Sequence, residues 1–172
     1  FLLSSGNSRL YAEENRAFNF STLNLNNGLS QLSVLDICQD DKGYIWFATR
    51  NGLNKYDGTH FTIYKHSNRD NNSLSDNHIT KLLPDNVRGG LWVGTNNGLN
   101  YLDPKTNLIT NYQLADYPEL PSNSILSLCL DKSGKLWVGT RLGLCFWQPE
   151  NKTFKLVTLD GQLDKESITS LY

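Results

Sequence analysis

The chain lacks the marks of several functional classes. Its 172 residues carry 16 Lys+Arg against 17 Asp+Glu, a formal net charge of −1 with no basic cluster. A nucleic-acid binder gathers Lys and Arg on one face to displace phosphate counterions, so that class is excluded. No run approaches the ~18–20 apolar residues of a transmembrane helix. There is no Gly-x-Ser-x-Gly nucleophile elbow, no Gly-x-Gly-x-x-Gly and no Gly-x-x-x-x-Gly-Lys phosphate cradle. His60, His66 and His78 show no metal-ligand spacing with Cys or carboxylates. No catalytic residue, metal site or cofactor is expected.

What is abundant points to strands and turns. The chain has 20 Asn, 13 Gly, 8 Tyr and 4 Trp, a composition of many tight turns and short strands. Self-comparison finds the repeat. Trp46, Trp92 and Trp137 are each preceded by Gly43, Gly89 and Gly134 three residues earlier. Each is followed by Thr49, Thr95 and Thr140, then by Gly52, Gly98 and Gly143 with Leu53, Leu99 and Leu144. Leu-Trp-Val-Gly-Thr is identical at 91–95 and 136–140. Asp40, Asp85 and Asp131 open the turn before each Trp strand, and Val34, Ile79, Ile125 and Ile168 begin the strand before that.

Each unit reads as four short strands, the first at 34–38, 79–83 and 125–130 and the second centred on Trp. The third falls at 53–56, 99–102 and 144–147, the fourth at 61–64, near 108–112 and at 154–157. Four antiparallel strands in about 45 residues, apolar on both faces, match one blade of a β-propeller. The expected fold is all-β: a partial β-propeller of about three to three and a half four-stranded blades from a larger, seven-bladed ring. Blades are expected at about 29–66, 74–114 and 120–159, with a leading strand at 18–23 and the start of a further blade at 162–172. Residues 1–12 read either as the end of an export signal, with Ala12 before Glu13 and Glu14, or as a disordered tail.

These residues resemble the two-component regulator propeller repeat: an apolar strand, Asp-x-x-Gly, Leu-Trp-Val-Gly-Thr, Gly-Leu and then Asp57 or Asp103, with Gln148 departing. The resemblance implies the periplasmic sensor region of a hybrid two-component system histidine kinase/response regulator of Bacteroidetes type. It further implies an oligosaccharide or other small-molecule ligand, the remaining blades of the same parent chain as partners, and a homodimer in the parent. Alternatives from other classes are a fragment of a propeller enzyme (lyase or quinoprotein) and a protein–protein interaction propeller. The string Asp131 to Trp137 is reminiscent of a quinoprotein docking motif, although its spacing is shorter.

The candidate binding residues follow from topology. In a four-stranded meander, the turn between strands two and three shares a rim with the connection to the next blade. That rim carries Arg50 and Asn51, Asn96 and Asn97, and Arg141 at matching positions, with the connections 68–77 and 116–123. Arg and Asn suit hydroxyls and acidic groups; polar residues also favour exposed turns in any protein. The three tryptophans read as packing between blades and the repeated glycines as turn residues. Cys38, Cys129 and Cys145 read as buried small residues, since equivalent sites two blades apart exceed the ~7 Å Cα limit for a disulfide. The run 68–73 reads as a solvated loop, because it lacks the Gly and Glu of a calcium loop.

Overall fold

The computed structural model of the chain describes residues 21–158 and 166–172. Three four-stranded antiparallel sheets follow one another along the sequence. Blade 1 holds β1 (Val34–Gln39), β2 (Ile45–Thr49), β3 (Gly52–Tyr56) and β4 (Phe61–Tyr64); blade 2 holds β5 (Ile79–Asp85), β6 (Gly90–Thr95), β7 (Gly98–Asp103) and β8 (Leu108–Tyr112). Blade 3 holds β9 (Ile125–Leu130), β10 (Leu136–Thr140), β11 (Gly143–Gln148) and β12 (Thr153–Leu156). Each sheet pairs its strands in chain order. Residues 1–20 lie outside the described residues, and with them the first half of the expected leading strand at 18–23.

The repeated Asp and Trp form one device. Asp40, Asp85 and Asp131 each present one carboxylate oxygen to backbone amides of the first hairpin turn: Lys42 and Tyr44, Val87 and Arg88, and Ser133 and Lys135. The other oxygen accepts the indole N–H of Trp46 (2.8 Å), Trp92 (3.2 Å) and Trp137 (3.0 Å). An indole buried without an acceptor costs free energy, so the aspartate both closes the turn and lets the ring sit between blades.

Alternation then assigns the two faces of each sheet. Trp46, Ala48 and Leu53 of blade 1 pack against Leu82, Leu91, Val93, Leu102 and Ile109 of blade 2. Trp92 and Leu99 of blade 2 pack in turn against Leu136, Val138, Trp147 and Phe154 of blade 3. Blade 2 thus offers a Trp face forward to blade 3 and an aliphatic face backward to blade 1, while the backward face of blade 3 adds Trp147 and Phe154. Close approach is required where β6 meets β9: a Cβ on Gly94 would stand 2.8 Å from Ile125 Cγ2. Register shifts near the start of β1, β5 and β9 accompany cross-blade hydrogen bonds. Asp36 Oδ2 accepts Leu82 N (3.0 Å), Thr80 Oγ1 donates to Ile125 O (2.7 Å), and Ser127 Oγ donates to Ile168 O (2.8 Å).

The segment 166–172 lies along blade 3. Ile168 N donates to Thr140 O (2.9 Å), and a Cβ on Gly139 would strike Ile168 as one on Gly94 strikes Ile125. Two expectations about burial need correction. Trp46 and Trp92 are each 1% exposed, whereas Trp137 is half-buried on the forward face of blade 3. Cys145 is fully buried, but Cys38 and Cys129 are only half-buried; Cys129 pairs with Trp137 on that same face.

Candidate functional site

The repeated Thr and Gly build the rim turns. Thr49, Thr95 and Thr140 donate through Oγ1 to the carbonyls of Gly52, Gly98 and Gly143 (2.7–2.9 Å) and accept from the amides of Asn51, Asn97 and Leu142. Gly52, Gly98 and Gly143 take φ of 117°, 129° and 128°, a region that side chains disfavour. The turn is also bonded to the next connection: Gly52 N donates to Asn77 O (2.8 Å) and Gly98 N to Asn123 O (2.7 Å). The Asn77 and Asn123 side chains accept His66 N and Leu114 N, respectively. The β2–β3 and β6–β7 turns therefore share a rim with the connections leaving β4 and β8.

The five candidate residues divide into two groups. Asn51 accepts from Lys65 Nζ (3.1 Å) and donates to Ser30 O; Asn97 accepts from Asn123 Nδ2 (3.2 Å) and, through its carbonyl, from Gln113 Nε2. Their polar groups are spent on holding the rim together. Arg50, Asn96 and Arg141 stand at the first position of the three turns, all exposed. Their backbone amides are tied to Gln31 Oε1, His78 O and Ser124 O. Asn96 Nδ2 meets His78 Nδ1 at 3.0 Å. Arg50 and Arg141 thus leave their guanidinium groups without an ion pair among the described residues, while Asn96 is engaged with His78.

One rim cavity lies beside them. An open depression of about 360 Å³ lies between the 66–75 connection and blade 2, lined by His66, Asn68, Asp70, Asn97, Asn111 and Gln113. Asn111 donates to Ser73 O, while its Oδ1 is buried with no partner among the described residues. Ile63 and Leu156 hold the matching positions in blades 1 and 3, opposite Asn54 and Cys145. The sequence reading missed this polar exception. Among the described residues, no three His, Cys, Asp or Glu side chains are grouped to hold a metal ion.

A second repeated device also escaped the sequence reading. Asn54 Oδ1 accepts Ser30 N (2.8 Å) and Asn100 Oδ1 accepts Ser75 N (2.8 Å), both asparagines fully buried. Ser30 and Ser75 hydroxyls also meet Thr49 and Thr95 Oγ1 at 2.9 and 3.0 Å. In blade 3 both partners change together: Pro121, with no N–H, stands for the serine, and Cys145 for the asparagine. The Cys145 Sγ approaches Val138 O at 3.8 Å, and burial pushes its thiol up to about 12. Burial, with Asp36 and Asp40 nearby, pushes Cys38 up to about 12. These thiols stay protonated and unreactive at neutral pH.

Three stacked, antiparallel four-stranded blades joined by a shared repeat define a β-propeller segment. Residues 28–51 and 119–141 match the family model of the two component regulator propeller. It is 47% identical over 62 residues, 36% of this chain, to Histidine kinase P4 of Formosa agariphila. Among solved structures it is similar to the extracellular domain of a hybrid two component system of B. thetaiotaomicron. That likeness has 27% identity, a TM-score of 0.55 and covers 84% of this chain. Virginiamycin B lyase from Staphylococcus aureus shares the fold at 15% identity, with a TM-score of 0.54 over 77% of this chain and 43% of that one. The chain spans 4% of the length of the curated relative and 27% of the solved extracellular domain.

Proposed function

We propose that the chain is a ligand-sensing propeller segment in the extracytoplasmic part of a hybrid two-component signalling protein whose parent is a histidine kinase. The similarity to the extracellular domain of such a system over 84% of the chain carries this reading. Residues 166–172 supply the inner strand of a fourth blade, and further blades of the same parent cover the Trp face of blade 3 and the backward face of blade 1. The ligand is an oligosaccharide bound at the rim. Arg50, Asn96 and Arg141 contact it directly, while Asn51 and Asn97 position the turns. Binding biases the packing of propellers or protomers in a homodimer, and that bias is passed to the membrane.

The test uses the full sensor. Once an oligosaccharide panel yields a ligand, Arg50→Ala with Arg141→Ala is measured by calorimetry beside the melting temperature. The expected result is affinity weakened about tenfold or more, the loss of one or two charge-assisted hydrogen bonds, with melting unchanged. Full affinity in the folded double variant removes this rim from the ligand site.

A further inference from the structure

The opposite rim carries the β5–β6 and β11–β12 turns, where two departures from the repeat converge. Seven positions separate Asp85 from Trp92, against six between Asp40 and Trp46 and between Asp131 and Trp137. The lengthened turn carries Arg88, whose Nε lies 3.8 Å from Asp85 Oδ2 while the side chain stays exposed. In the β11–β12 turn, Lys152 sits at φ 51°, where the matching residue of the β7–β8 turn is Asn107 at φ 58°. Asparagine takes this left-handed conformation readily; lysine does not. A poorer turn former is thus held where it lines the same groove as Arg88.

Between them lies an aromatic wall at the blade 2–3 junction. Trp147 meets Tyr112 at 4.9 Å and Tyr117 at 6.0 Å between ring centroids. Arg88, Lys152, Thr110, Tyr112, Tyr117 and Trp147 line an open groove of about 360 Å³, with no carboxylate among its described lining. Arg88 and Trp147 also border an adjoining cavity of about 450 Å³ that adds Lys135. The acids of that second cavity are Glu150 and Asp85, and Asp85 is already committed to Arg88 and the Trp92 indole.

We propose that this groove binds a small ligand carrying a carboxylate on a six-membered ring. Arg88 and Lys152 take the carboxylate, Arg88 through the paired N–H groups that match its geometry. The exposed parts of Tyr112 and Tyr117 take the ring, and the Thr110 hydroxyl is placed for a ring substituent. One or two rings fill the available volume. The site is independent of the rim reading, because it shares no residue with it.

Two probes separate the sources of this chemistry: digalacturonate, a uronic sugar, and 4-hydroxybenzoate, an aromatic acid. Each is titrated calorimetrically into the full sensor, with methyl galacturonate methyl ester as the uncharged control. At least one acid binds, the ester does not, and affinity falls as salt is raised. Lys152→Asn installs the residue that blade 2 uses, so it weakens binding about tenfold or more while the melting temperature holds or rises. Arg88→Gln weakens binding at least as much. Failure of both acids to bind, equal binding of the ester, or unchanged affinity in folded Lys152→Asn overturns the proposal.

Discussion

Blade 2 and blade 3 share a sequence pattern but not an environment. In blade 2, β6 is buried along its whole length, because blades 1 and 3 cover its two faces. In blade 3 the same Leu-Trp-Val-Gly-Thr strand has only its aliphatic face covered by another blade, and Trp137 is half-exposed where Trp92 is 1% exposed. Blade 1 shows the mirror case, with Ile37 57% and Ile63 42% exposed on its backward face. Identical sequence therefore carries unequal free energy. A propeller residue derives its stabilisation from its neighbour blade as much as from its own.

The strongest way to break this comparison is truncation of the two indoles. Trp92→Ala removes a fully buried ring and its bond to Asp85, and should cost about 3–5 kcal/mol by denaturant unfolding of this chain. Trp137→Ala should cost about 1–2 kcal/mol, since much of its surface is already in water. Equal losses would mean that the two faces are equally covered.

The Asn–Ser and Cys–Pro pairs sharpen it further. Asn100→Ala strips the acceptor from the buried Ser75 amide and should cost about 1–3 kcal/mol. Cys145→Asn should also destabilise, because Pro121 has no N–H for the new oxygen. Adding Pro121→Ser should recover about 1–2 kcal/mol in a double-mutant cycle. Additive effects would show that the two positions do not communicate.

Acid provides the smallest effect. The amides of His60 and Thr59 and the Thr59 hydroxyl hold Asp57 down to about 2, and the Lys105 amide lowers Asp103. The Ser133 hydroxyl and the Trp137 indole hold Asp131 well below the usual carboxylate range. Depressed carboxylates stabilise the fold fully above their ordinary pKa of ~3.9, and that stability is lost as pH falls through the folded values. Melting temperature should be flat from pH 6 to about 4 and then decline, with Asp57→Asn showing a shallower decline.

The strands were legible because period-two burial and the Trp, Thr and Gly repeats are local signals. The third strands, expected at 53–56, 99–102 and 144–147, form within a residue of those limits. Which faces stay open was harder to read, because the exposure of Trp137 depends on chain beyond its own blade. The rim position of Arg50, Asn96 and Arg141 followed from topology. That Asn51 and Asn97 are consumed by Lys65, Asn123 and Gln113 did not, because those partners come from connections with little pattern of their own. The Ser30–Asn54 and Ser75–Asn100 bonds did leave a trace: the same two residue types recur one repeat apart.

The Pro121 and Cys145 exchange bears on how such chains grow. Both positions of each pair fall within a single repeat, serine or proline ahead of the first strand and asparagine or cysteine in the third. A gene duplication whose joint falls just before Leu29, Leu74 or Leu120 copies both partners together, so the new blade arrives with its interior already reconciled. A joint between the first and third strands would instead mate a serine amide with a thiol, or a proline with an amide oxygen. Recombination among repeats is thereby tolerated from the end of the third strand to the next repeat's serine or proline and penalised between that residue and the third strand.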